Sequence, residues 1–120
     1  MKFVVSSNTL LTRLQAVSKV IGGKPVQPIL DNILLVATEG VLYATASDKE
    51  TTMEARIELE SMEEEGKITI HAKILLDILK EFPEQPLTFE INTETNEVKI
   101  ISEKGEFSVP GESAEDYPIQ

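Results

Sequence analysis

The chain is 120 residues long, 41% hydrophobic and 27% charged, with a formal net charge of -10, no cysteine, no tryptophan and one histidine. That length serves one hydrophobic core, and the missing cysteines exclude disulfides, thiolate metal sites and a thiol nucleophile. The opening apolar run ends at Ser6 and no later run approaches the roughly 18 residues a membrane span needs, so a reducing, cytoplasmic setting without membrane insertion is expected.

In chain order, residues 2–6 alternate loosely and read as a strand, after which Ser7, Asn8 and Thr9 offer N-caps for a helix. Leu10, Leu14, Val17 and Ile21 recur at the spacing of one helical face, with Leu11 beside them. Gly22-Gly23 can take the left-handed conformation that ends a helix, and Pro25 and Pro28 keep it from resuming, which places the first helix at about 8–21. Strands are predicted at 32–38, at 41–47 after a Glu39-Gly40 turn, and at 52–59 after the polar Asp48-Lys49-Glu50 corner; the acidic Glu63-Glu64-Glu65 run reads as a solvated loop. Residues 67–70 then start the pattern again as a strand. Ile74, Leu75, Ile78, Leu79 and Phe82 form the buried stripe of a second helix at 72–82, halted by Pro83, and strands follow at 87–92, 97–102 and 106–109.

A shift of 65 residues lays Lys2 on Lys67, Phe3 on Ile68, Val5 on Ile70, and Leu10, Leu11 and Leu14 on Leu75, Leu76 and Leu79. The order β-α-β-β-β thus occurs twice, which predicts an α+β fold with a pseudo-two-fold axis in a single domain, 1–120, holding two repeats at about 1–62 and 66–112. One helix of each repeat must cover a sheet, so the two helices are expected side by side on one face of antiparallel sheets.

Charge is distributed unevenly against this plan. Residues 1–30 carry Lys2, Arg13, Lys19 and Lys24 and no acid, so all 21 acids lie beyond them. Helical geometry puts Lys19, flanked by Arg13, on the solvent side of the first helix, and Lys73 and Lys80 with Asp77 on that of the second, with Lys24 extending the same surface from a loop. Long cations on parallel helices can meet phosphate backbone without reading base edges. The alternative is that Lys73 and Lys80 only pair with Asp77 as ordinary surface charges.

Nothing points to catalysis. His71 alone cannot build a multi-histidine metal site or a thiol dyad, and Asp48 and Glu50 occupy a corner where acids commonly form turns. No catalytic residue, metal or cofactor is expected. A second class of function, a small acidic interaction module recruiting a partner strand to a sheet edge, fits the composition as well.

Several local sequences bear on that choice: Met1-Lys2-Phe3; Gly22-Gly23-Lys24-Pro25 continuing to Pro28-Ile29-Leu30-Asp31-Asn32-Ile33-Leu34-Leu35; Ser47-Asp48-Lys49-Glu50 followed by Ala55-Arg56; and Asp116-Tyr117-Pro118. In this order and spacing they resemble the first domain of bacterial β sliding clamps, over essentially the whole chain. The resemblance implies a processivity factor that encircles double-stranded DNA as a head-to-tail homodimeric ring of three-domain subunits, meeting DNA polymerase and clamp loader through domains absent here. It implies that Lys24, Lys73 and Lys80 are DNA-facing cations and that the last strand supplies a subunit interface at Phe107 and Lys104. Ile74 and Glu106 stand where some relatives carry cations, which implies a more apolar interface here. The alternative for Phe107 is a plain core strand residue.

Overall fold

The computed structural model describes residues 1–21, 28–48 and 51–118. The expected Gly22-Gly23 helix stop and the Lys49-Glu50 part of the acidic corner lie outside the described residues.

Alternation in β1 (Lys2–Ser6) buries Phe3 and Val5, and the chain turns into α1 (Ser7–Val17). The cap of α1 is Ser6, one residue before those expected, whose Oγ accepts from the Thr9 amide at 3.4 Å. Leu10, Leu14 and Val17 are fully buried along one face, each worth about 1.5–3 kcal/mol of transfer free energy. The α-helix ends at Val17, short of the expected 21, and tightens into a 3-10 turn over Ser18–Val20.

A 3-10 turn at Pro28–Asp31 leads into β2 (Asn32–Thr38), which pairs with β3 (Val41–Ser47) across a two-residue Glu39-Gly40 turn. Both turn residues have positive φ, 50° and 78°, so glycine at the second position relieves the strain a side chain would meet. β3 in turn pairs with β4 (Thr52–Glu58). Ser61–Glu64 forms a further strand, β5, against β1, where a loop was expected. The second unit is β6 (Gly66–His71), α2 (Ala72–Leu79), β7 (Pro86–Asn92), β8 (Glu97–Ser102) and β9 (Gly105–Glu112). Helical bonding beyond α2 is of the i→i−3 kind, with the Glu81 and Phe82 amides donating to Ile78 and Leu79 carbonyls, so α2 proper stops at Leu79 and not at 82.

Among the described residues the strands form one antiparallel array ordered β4-β3-β2-β6-β9-β8-β7-β1-β5. The two units exchange their first strands: β1 pairs with β7 of the second unit, and β6 with β2 of the first. This exchange interlocks the repeats, and Phe3 stacks on Phe89 across the β1–β7 pair with centroids 5.1 Å apart. α1 and α2 touch each other over the inner face, and a single core of both units' inward side chains lies between helices and sheet. A small second cluster, Leu30, Leu34 and Tyr117, covers part of the outer face.

Candidate nucleic-acid interface

The solvent side of the helix layer is set by what the core removes from it. Burial of Leu10, Leu14 and Val17 on α1 and of Ala72, Leu75 and Leu79 on α2 turns the opposite faces outward together. Lys73 and Lys80 at α2 are exposed, as is Lys19 in the 3-10 turn that follows α1. Arg13 is exposed too, but it sits on the flank of α1, lining a groove of about 540 Å3 against β4 with Ala16, Val17 and Met53. Lys24 lies outside the described residues.

No ion pair among the described residues involves Arg13, Lys19, Lys73 or Lys80. Asp77 stands one turn from both Lys73 and Lys80 without pairing with either, so the reading of these lysines as ordinary helix-surface pairs is not realised. Pairing occurs instead at the sheet: Lys2 Nζ lies 3.1 Å from Glu90 and 3.5 Å from Glu63, and the hydrogen bond to Glu90, ahead of the Glu63 charge, raises the Lys2 pKa. Lys99 meets Glu106 at 3.7 Å. Among the described residues of a protein with 21 acids, the cations of the helix layer thus have no acidic partner. Such a layer can offer mobile point charges to a polyanion, without the bidentate forks that read bases.

The acidic run expected as solvated loop is bound into the sheet. Glu64 meets the Met1 amino group at 3.2 Å, Glu63 meets Lys2, and Glu65 accepts from Thr38 Oγ1 and the Glu39 amide at 2.9 Å. The Glu39 amide bond, then that of Thr38, holds the Glu65 carboxyl below its ordinary pKa. Asp48 accepts from the Thr51 amide at 2.7 Å and so serves a turn.

A second surface gathers at the far edge of β9. Phe107 is 41% exposed, which overturns its reading as a core residue, and it meets Phe82 edge-on with centroids 5.4 Å apart. Ile74 is 42% exposed on α2, and Ile74, Ile78 and Phe82 recur every four residues, so an apolar row runs along the helix to Phe107. Lys104 is exposed in the turn before β9. Sequence reasoning assigned Phe82 to the core alone; the four-residue spacing with Ile74 was the available sign of this row. Among the described residues, His71 at the N-cap of α2 has a buried Nδ1 without a hydrogen-bond partner, and no group of three or more metal-ligating side chains occurs.

Residues 1–120 match the family model described as the DNA polymerase III beta subunit, N-terminal domain. The chain is 38% identical over 120 residues to the beta sliding clamp of Proteus mirabilis, covering 98% of this chain and 32% of that protein. The DNA polymerase III subunit beta from Pseudomonas aeruginosa superposes with a TM-score of 0.91 at 30% identity, over all of this chain and 32% of that one. The Helicobacter pylori beta clamp, solved bound to a DNA ligase peptide, gives a TM-score of 0.90 at 27% identity over 100% of this chain and 33% of that one. The chain thus spans about a third of the length of each of these three relatives.

Proposed function

The chain belongs to the family of the DNA polymerase III beta subunit N-terminal domain, and on that premise we propose that it is one segment of a ring that encircles double-stranded DNA and slides along it without reading sequence. The observation that carries this reading is the pair of adjacent helices whose cations Arg13, Lys19, Lys73 and Lys80 have no ion partner among the described residues of a protein of net charge -10. Lys24, which lies outside the described residues, is read from the sequence as a further DNA-facing cation. Each phosphate such a cation neutralises releases a counterion, so contact is electrostatic, salt-sensitive and indifferent to sequence. The segment itself performs no catalysis and uses no metal or cofactor; it positions the ring.

The ring is a head-to-tail homodimer of a longer subunit. Phe107, with Ile74 and Lys104, forms this segment's half of the subunit interface, and an apolar row backed by Phe82 suits a partner surface that is itself largely apolar. Polymerase and clamp loader engage other domains of that subunit, and the assembly acts in the cytoplasm. Within the 1–120 domain, the repeats run over about 1–62 and 66–112.

The test is charge reversal of Lys73 and Lys80 to Glu in the full-length ring loaded on circular DNA. Retention should fall, and fall more steeply as salt rises, whatever the DNA sequence. Unchanged retention sinks the assignment of this face. A loss confined to changes at Phe107, with the lysine variants silent, would instead fit an interaction module that recruits a partner to a sheet edge.

A further inference from the structure

Among the described residues, the helices α1 and α2 hold a single acid, Asp77. At ~100° per residue it points about 165° away from the centre of the face that Ala72, Leu75 and Leu79 bury, whereas Lys73 and Lys80 stand about 125° and 105° away. Asp77 is exposed and is thus the most outward residue of α2, with the lysines on one side of it and the apolar row from Ile74 on the other. Glu81, also exposed, lies in the turn past the helix end.

The stability of α2 does not account for this residue. The Asp77 carboxylate has no ion-pair or hydrogen-bond partner among the described residues. It stands in the last turn of α2, where the free carbonyls already concentrate negative charge, and aspartate is a poor helix former. The order of charges also disfavours pairing, because Lys73 precedes Asp77 by four residues and that orientation is the weaker one. A side chain that works against its own helix without a compensating contact has its use at the surface it faces.

We propose that Asp77 sets the mobility of the ring on DNA: its carboxylate repels the phosphates that Lys73 and Lys80 attract, and so keeps each contact weak. This rests on the DNA-facing assignment made above. Residues three and four positions apart on a helix have Cβ atoms about 5–6 Å from each other, inside the roughly 8 Å screening length at about 0.15 M salt. A phosphate that meets either lysine therefore also meets the charge of Asp77, and the contact releases less of its counterion. A threaded ring must break its phosphate contacts at every step, so weaker contacts make for faster sliding.

Single-molecule tracking of the full-length ring, loaded on stretched double-stranded DNA, tests this. In Asp77→Asn the one-dimensional diffusion coefficient should fall about twofold or more at low salt, and the difference should shrink as salt screens the charge. Asp77→Glu keeps the charge and should slide like the wild type, while Asp77→Lys should be slower than Asp77→Asn. Equal mobility of Asp77→Asn and wild type overturns the proposal, as does a slowing that salt leaves unchanged or that Asp77→Glu shares. Faster subunit exchange in Asp77→Asn with mobility unchanged overturns it too, since Asp77 would then serve the subunit interface. The combined Lys73→Glu and Lys80→Glu variant separates this proposal from the reading beneath it. If that variant is retained like the wild type, the DNA-facing assignment fails and this proposal with it. If its retention falls while Asp77→Asn slides normally, only the role of Asp77 is refuted.

Discussion

Asn32 is buried where β2, β6 and β9 meet, and its amide donates to Thr69 Oγ1 at 3.1 Å and to Glu112 Oε2 at 3.0 Å. Thr69 Oγ1 donates onward to the Glu112 carbonyl at 3.1 Å, so one side chain ties the first unit to both strands of the second. Asn32→Ala leaves the buried Thr69 Oγ1 without this donor and is expected to lower stability by about 1–3 kcal/mol, read as a lower urea midpoint at unchanged slope. Gly111 occupies the same junction, where an added Cβ would lie 2.8 Å from the Asn96 carbonyl oxygen and 3.1 Å from that of Thr69. Both contacts are backbone, so Gly111→Ala must displace a strand, and a lowered melting temperature in differential scanning calorimetry is the expected outcome. These roles were not legible in the sequence, because they depend on which strands the units exchange. Phe107 illustrates a different limit. It lies on the same side of β9 as buried Val109 and opposite buried Ile100, yet it is 41% exposed and packs edge-on against Phe82, which follows the end of α2. Strand parity identifies the face a side chain takes, whereas exposure depends on how far the covering helix extends.

At the scale of elements, α1 is anchored by the connection that follows α2. Ser6 Oγ donates to both Glu84 oxygens at 2.9 and 2.8 Å, Ser7 Oγ donates to the Pro83 carbonyl at 3.0 Å, and the Ser7 and Gln85 backbones bond as well. The Ser6 hydroxyl, above all, holds the Glu84 carboxyl below its ordinary pKa. A carboxyl whose pKa is depressed on folding contributes stability that is present above its unfolded value and is lost as pH falls through the folded one. Glu84→Gln should therefore melt below the wild type at neutral pH, and the gap should close on acidification below the ordinary carboxylate range. A gap that persists or widens in acid would contradict the anchoring role. Element bounds were most legible where alternation meets a sharp turn: 32–38, 41–47 and 97–102 agree with β2, β3 and β8 to the residue. β5 was not legible because an edge strand needs only backbone pairing on one side, and its glutamates face solvent and neighbouring cations without any apolar alternation. The early ends of both helices reflect 3-10 tightening, which preserves the apolar spacing that sequence reasoning follows.

For the molecule as a whole, the exchange of first strands makes the two repeats one body and brings both helices to one side. The helix pair itself was legible from the repeat and the apolar stripes. Its unpaired cations were legible only as residue types, since sequence could not say whether Asp77 would neutralise them. Four or five phosphate contacts, each adding about 0.9 to the salt slope, cannot hold a protein of net charge -10 tightly on DNA at physiological salt. The 120-residue chain alone is thus expected to show weak or no binding in fluorescence anisotropy, and saturable nanomolar binding would contradict a role that depends on ring closure. Which face is turned to DNA can be read directly, because the chain has no cysteine of its own. In a full-length ring freed of other cysteines and loaded on circular DNA with thiol-tethered phosphates, single substitutions Lys19→Cys, Lys73→Cys and Lys80→Cys should form disulfide cross-links whatever the DNA sequence. Tyr43→Cys on the outer face of β3 should form none, and cross-linking there equal to that from the helices would contradict the account.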